Sequence, residues 1–117
     1  MTLPVALPEG LPRPAGYRIM IAIPKKDDKI GSILLPETLR KAEESASIVG
    51  MVIALGDLAY SEHDKYPTGP WCEPGDWVIF RAYSGTRMKI AEEEFRLIND
   101  DSVEAVVDDP RTVSRAF

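Results

Sequence analysis

Short apolar stretches rich in β-branched residues recur along this chain, and a turn signal stops each one before it reaches helical length. Ile48 to Leu55 ends at Gly56-Asp57, and Glu73-Pro74-Gly75-Asp76 launches Trp77-Val78-Ile79-Phe80. Pro presets the φ angle of a bend and Gly takes the positive φ that completes it, so such tetrapeptides read as turns. Tyr83-Ser84-Gly85-Thr86 is another turn, after which Met88-Lys89-Ile90 alternates apolar and polar. Glu93 to Ile98 sets Phe95 and Leu97 in alternation, and Asn99-Asp100-Asp101 turns the chain into Val103 to Val107. Near the start, Ile19, Ile21 and Ile23 recur every second position with Met20 and Ala22 between them. That pattern suits a strand covered on both faces. Five or six short strands without a long helix predict an all-β fold, a barrel or a sandwich.

The length of 117 residues allows one domain with one core. Hydrophobic residues at 44% and charged residues at 28% match an ordinary globular protein. The formal net charge of -5 argues against nucleic acid as a partner, because that affinity comes from Lys and Arg displacing counterions. The single cysteine, Cys72, cannot form an intrachain disulfide. With the single histidine, His63, it is too little for a zinc site of N and S ligands. No apolar run approaches the roughly 20 residues of a spanning helix, and the N-terminus lacks the basic-then-apolar order of a signal peptide. The expected setting is the cytoplasm, with no membrane partner and no cofactor.

Between the strands lie three segments of different character. Residues 1–15 carry Pro4, Pro8, Pro12 and Pro14 and read as an extended N-terminal arm. Lys25 to Ser47 is polar and charged except for one island, Ile33-Leu34-Leu35, set between Gly31-Ser32 and Pro36-Glu37. One reading starts a short helix at Pro36, running through Leu39, Arg40, Ala42 and Glu44, with Leu35 packed on the core. The other leaves the island exposed. Leu58 to Trp71 holds Tyr60, Tyr66, Pro67, Gly69 and Pro70 among polar residues and reads as a long hairpin or loop. The tail, residues 109–117, has no periodicity and is expected to be loose.

Catalytic chemistry finds no convergent set of groups. Glu92-Glu93-Glu94 offers paired carboxylates, but strand neighbours point to opposite faces and a charge run beside a turn is ordinarily solvated. Ser84-Gly85 lacks the flanking glycines and strand-to-helix context of a nucleophile elbow, and no phosphate-binding glycine loop is present. Tyr60, Tyr66 and Tyr83 could line an aromatic surface, yet aromatics near turns more often serve packing or subunit contacts. The chain reads as a non-enzyme without a metal.

Taken in order, these segments resemble the GroES co-chaperonin family from about Pro14 to Asp108. Tyr17-Arg18-Ile19-Met20-Ile21-Ala22 resembles the family's first strand, and Gly31-Ser32-Ile33-Leu34-Leu35-Pro36-Glu37 its mobile loop. Val52-Ile53-Ala54-Leu55-Gly56 is similar to the strand that follows, and Glu73 to Phe80 to the family's Val-Gly-Asp-x-Val turn and strand. Tyr83-Ser84-Gly85-Thr86, Glu94 to Ile98 and Ser102 to Val107 resemble the last turn and the last two strands. The sequence departs from the pattern at Ser32, which replaces a second loop glycine, in the added length from Leu35 to Gly50, and in the extra arm and tail. The lengthened loop resembles virus-encoded members that replace a host lid, which would put the protein in a bacterial host's cytoplasm.

The resemblance implies a partly open β-barrel over residues 16–108, with a mobile loop at 25–47 and a roof hairpin at 57–71. It implies a ring, most simply a heptamer, that caps a GroEL-type, ATP-bound chaperonin and encloses an unfolded client protein. Gly31, Ser32, Ile33, Leu34 and Leu35 would bind the chaperonin. Tyr17, Ile19, Ile21, Val103, Ala105 and Val107 would form the subunit interface. Tyr60, Glu62, His63, Asp64, Lys65 and Tyr83 would face the roof or cavity. The competing readings are a structural barrel that decorates a larger assembly, an oligonucleotide-binding barrel, and an enzyme domain lacking its nucleotide-binding partner domain.

Overall fold

The computed structural model describes residues 10–24 and 48–113. Six strands form one antiparallel sheet: β1 (Arg18–Ile23), β2 (Val49–Leu55), β3 (Trp77–Phe80), β4 (Thr86–Ile90), β5 (Glu93–Asn99) and β6 (Val103–Val107). Their order across the sheet is β4-β5-β1-β2-β3-β6, so the sheet is open at β4 and β6. The only helical turns among the described residues are two short 3-10 segments, Asp100–Ser102 and Pro110–Thr112. The all-β expectation holds, and each expected strand forms within two residues of its expected limits.

β1 is the central element because its side chains are apolar on both faces. It pairs with β2 on one side and β5 on the other. Ile19, Ile21 and Ile23 enter one buried cluster with Val52, Val78, Phe80, Ile98 and Val103. Met20 and Ala22 enter the opposite cluster with Met51, Trp77 and Phe95. Close approach of β2 to β1 requires Gly50, since a Cβ there would collide with the Ile21 side chain. Burying five consecutive side chains of one strand is what a sheet apolar on both faces demands.

The sheet coils enough for opposite strands to meet inside it. Arg96 of β5 is fully buried, and its guanidinium lies 5.2 Å from the ring centroid of Phe80 on β3, although β1 and β2 separate these strands in the sheet. Arg96 Nη2 also donates to Glu94 Oε2 at 3.3 Å, and Arg87 of β4 approaches the same carboxylate at 3.9 Å. Desolvation lowers the pKa of the Arg96 guanidinium, and the Glu94 charge opposes that shift. A buried arginine is tolerated here because a carboxylate and an aromatic face replace its water.

The turn before β3 has the expected chemistry. The Asp76 amide donates to the Glu73 carbonyl at 3.0 Å, and Gly75 takes a φ of 98°. The Asp76 carboxylate closes the same turn by accepting the Glu73 amide at 2.9 Å.

One segment differs from expectation. The 57–71 segment contains no strand, so it is a compact chain of turns and not a hairpin. Its aromatic residues explain why: Tyr60 and Tyr66 are buried in the first cluster, which pulls the segment down onto the barrel. In the tail, Pro110–Thr112 forms a 3-10 turn, and the Thr112 amide and hydroxyl both donate to the Asp109 carbonyl, at 3.2 and 2.8 Å. Of the expected arm, residues 1–9 lie outside the described residues; from Gly10 to Ala15 no strand forms, and Leu11 packs against the second cluster.

Candidate assembly surfaces

An open sheet has two edges, and they differ in kind. β6 pairs with β3 through Trp77↔Val107, Val78↔Val106 and Ile79↔Ala105 and leaves its other side without a strand partner among the described residues. Glu104, Ala105 and Val106 are exposed there, and Val106 is 47% exposed. Unpaired amides and carbonyls beside an exposed valine form a template for another strand. β4 is the second edge, but Arg87 and Lys89 stand exposed on it, and charge on an edge discourages pairing.

Of the expected interface residues, the structure separates those that can meet a partner from those that cannot do so in the single chain. Ala105 lies exposed on β6, and Val107 is half-buried against the second cluster. Val103 is core, only 4% exposed. Ile19 and Ile21 are fully buried, and β1 is hydrogen-bonded on both sides, so β1 offers no edge. In the single chain β5 returns antiparallel along β1 and takes its second side. Tyr17, just ahead of β1, is 46% exposed, while its carbonyl accepts the Asp100 amide at 3.0 Å.

The expected roof residues divide in the same way. Glu62, His63, Asp64 and Lys65 are exposed, and Tyr83 stands out at 61% exposure on the turn between β3 and β4. Tyr60 is instead buried in the single chain, 5% exposed. It adopts a φ of 58°, and its amide donates to Asp100 Oδ2 at 3.0 Å while its hydroxyl donates to the Asp100 carbonyl at 2.8 Å. Both bonds tie the 57–71 segment to the turn that launches β6. The rings of Tyr60, Tyr66 and Trp71 stack around this anchor, with Tyr66 edge-on to each of the others at 4.9 Å between centroids. Burial pushes the Tyr60 phenol upward, helped by the Cys72 thiol 3.5 Å away and by Asp100. Burial, with Asp100 nearby, likewise pushes Tyr66 up to about 12. Both rings therefore stay neutral and act as packing groups with a polar tip.

The tyrosine anchor and the buried Arg96 were not expected as structural centres. Asp100 gave one legible signal, since an acidic residue in a turn readily caps nearby amides. Its pairing with Tyr60, 40 residues away, has no local pattern. Gly31, Ser32, Ile33, Leu34 and Leu35, and the alternative helix from Pro36, lie outside the described residues. Among the described residues no cluster of His, Cys, Asp and Glu could hold a metal ion, and no helix is long and apolar enough to cross a membrane.

Comparison with known proteins finds a family model and named relatives that match most of the chain. The family model described as the chaperonin 10 Kd subunit covers residues 12–107. A protein named co-chaperonin GroES from Thermosipho africanus (strain TCF52B) is 33% identical over 97 residues, which span 82% of this chain and 96% of that protein. The co-chaperonin GroES of Solidesulfovibrio magneticus (strain ATCC 700980 / DSM 13731 / RS-1) is 28% identical over the same extent of both chains. The matched region begins in the arm before β1 and ends with β6, so it takes in the whole sheet, and the chain belongs to the chaperonin 10 Kd subunit family, that of the GroES co-chaperonins.

Proposed function

We propose that this chain is a co-chaperonin that assembles into a ring and caps a GroEL-type chaperonin in its ATP-bound state, enclosing a client protein. The observation that carries the reading is the family match over 12–107, which spans both the barrel and the stretch containing the apolar island. The chain works as a binding partner, and the chaperonin's nucleotide cycle supplies the energy. Gly31, Ser32, Ile33, Leu34 and Leu35 form the docking tripeptide and its lead-in.

Ring formation is supported by the free β6 edge with its exposed Val106. A neighbouring subunit's chain adds along that edge, satisfying the amides and carbonyls that an open sheet leaves over. The stretch just before β1, from Leu11 to Tyr17, supplies the added chain, because β1 itself has no free side. A closed ring of identical contacts follows from such head-to-tail pairing when the rotation closes, and seven subunits is the number the family resemblance implies. The ring also makes weak docking effective: several loops on one rigid body bind together through their high effective concentration, although each alone binds poorly.

The test separates docking from folding. Leu34→Asp places a charge where an apolar groove would receive the loop, at a cost of several kcal/mol per site if the contact is made. Pull-down with a chaperonin ring and ATP should lose the substituted protein, while its melting temperature and oligomer mass stay at wild-type values. Retained capture would move the docking residues elsewhere, with Leu39 the next position to substitute. Unfolding or dissociation of the variant would show that the island is core and overturn the docking assignment.

A further inference from the structure

Three segments meet in a closed set of hydrogen bonds at the start of β6. Where the arm runs into β1, Gly16 takes a φ of 61°, its amide donates to Asp57 Oδ1 at 3.2 Å, and its carbonyl accepts the Leu58 amide at 3.0 Å. Two residues further on, the same turn grips a distant part of the chain: Tyr60 donates its amide to Asp100 Oδ2 at 3.0 Å and its hydroxyl to the Asp100 carbonyl at 2.8 Å. The Asp100 amide closes the set by donating to the Tyr17 carbonyl at 3.0 Å. The arm exit, the 57–60 turn and Asp100 are thus bonded pairwise. Asp100, only 4% exposed, opens the Asp100–Ser102 turn that leads directly into β6.

The 57–60 turn is held under strain. Tyr60 has a φ of 58°, a left-handed conformation that crowds the Cβ of a bulky side chain. Such a conformation persists only where surrounding contacts over-determine it. The two bonds to Asp100 do so, together with the edge-on packing of the Tyr60 ring against Tyr66, 4.9 Å between centroids. Releasing one side of the set removes part of what holds the turn, and the other sides loosen with it.

Building on the ring proposed above, in which each subunit gives the stretch from Leu11 to Tyr17 on one side and offers β6 on the other, we propose that the 57–60 turn is a strap joining these two halves of the subunit contact. Seating a neighbour on the β6 edge and presenting the arm stretch to the next subunit then reinforce each other. A chain added along β6 fixes the Asp100–Ser102 turn, and the strap carries that order to Gly16 and Tyr17. The ordering cost of the next contact falls accordingly. The coupling is reciprocal, since each contact must strengthen the other by the same factor.

The full chain is followed by amide hydrogen exchange and by sedimentation through a dilution series. Asp57→Ala touches only the arm side of the strap, yet it should speed exchange across Asp100–Ser102 and β6 by at least about fivefold while the β4–β5 hairpin keeps its wild-type rates. Asp57→Asn, which keeps an oxygen for the Gly16 amide, should restore the β6 rates. The concentration at which the oligomer half dissociates should rise at least about tenfold in Asp57→Ala and in Tyr60→Phe, neither of which lies on β6 or in the added stretch. Joined in one chain, the two changes should raise it no more than about twofold beyond the stronger single change, since either alone opens the strap. Exchange that quickens only around Gly16, or evenly over the whole sheet, would overturn the proposal, as would two changes whose effects multiply. A wild-type chain that never assembles overturns the ring reading and the strap with it, whereas an assembling chain with a purely local Asp57→Ala effect overturns the strap alone.

Discussion

The two edges of the sheet start from the same liability and resolve it in opposite ways. β4 carries Arg87 and Lys89 outward, so a strand approaching it would have to bury charge. β6 carries Glu104, Ala105 and Val106 outward and keeps only one charge on its exposed stretch. The difference teaches that the open barrel is open by composition on one side only: β4 is protected and β6 is left available. Their attachments differ as well. β4 hangs on β5 through a tight hairpin, whereas β6 is launched from the Asp100–Ser102 turn that Tyr60 clamps from 40 residues away.

The sharpest way to break the comparison is to give β6 the chemistry of β4. Val106→Lys puts a charge at a position already 47% exposed, so the single chain should keep its stability within about 0.5 kcal/mol. Assembly should be lost, and native mass spectrometry at micromolar concentration should find monomer in place of the proposed closed oligomer. The converse change, Lys89→Val on β4, should leave that oligomer intact and add larger, concentration-dependent species. A β6 variant that still closes its ring would place the subunit contact elsewhere.

The clamp on β6 should appear as an alkaline weakness. Tyr66 has its pKa raised from 10.0 to about 12 in the folded chain by burial, with Asp100 adding to it. A group whose folded pKa lies above its unfolded value adds nothing to pH dependence below the unfolded value, and its stabilising effect is lost as pH climbs from there through the folded value. Stability should therefore hold up to about pH 10 and fall between there and about pH 12, as the unfolded chain ionises first. Tyr60, also shifted upward, acts in the same direction. Urea midpoints measured across this range check the fall, and Tyr66→Phe should make it shallower while the Tyr60 contribution remains. Tyr60→Phe, which leaves the Asp100 carbonyl without its donor, should cost about 1 to 2 kcal/mol at neutral pH.

The same contrast decides what could be read from the sequence. β1 was legible because five apolar residues in a row are a local pattern, and the Glu73 to Asp76 turn because Pro and Gly state their φ angles themselves. The second side of β1 was not legible. Nothing in Ile19 or Ile21 says that β5 and not a neighbouring subunit will pair there, since both partners satisfy the same backbone groups. The burial of Tyr60 was not legible for a related reason: a tyrosine among polar residues looks exposed until its contact with Asp100 is known. Residues within a strand declare themselves by period, while anchors between distant segments are set by tertiary contact alone.

The smallest expected effect lies at the protected edge, in the hairpin that joins β4 to β5. Ile90 pairs with Glu93, which leaves a two-residue loop of Ala91 and Glu92, with φ of 51° and 66°. Positive φ at both positions is the type I′ arrangement, whose right-handed twist matches the strands and which favours Asn followed by Gly. Ala has no side chain to bond the turn, and Glu has a Cβ that crowds the following carbonyl, so both residues sit in a conformation they rarely adopt. Both are exposed, so replacing them disturbs no packing. The double substitution Ala91→Asn, Glu92→Gly should stabilise the chain by about 1 kcal/mol, read as a raised urea midpoint at unchanged slope. Because the loop adjoins β4 and not β6, oligomer mass should not change. A gain in stability accompanied by altered assembly would mean that the β4 edge takes part in subunit contacts, and the distinction between the two edges would fail.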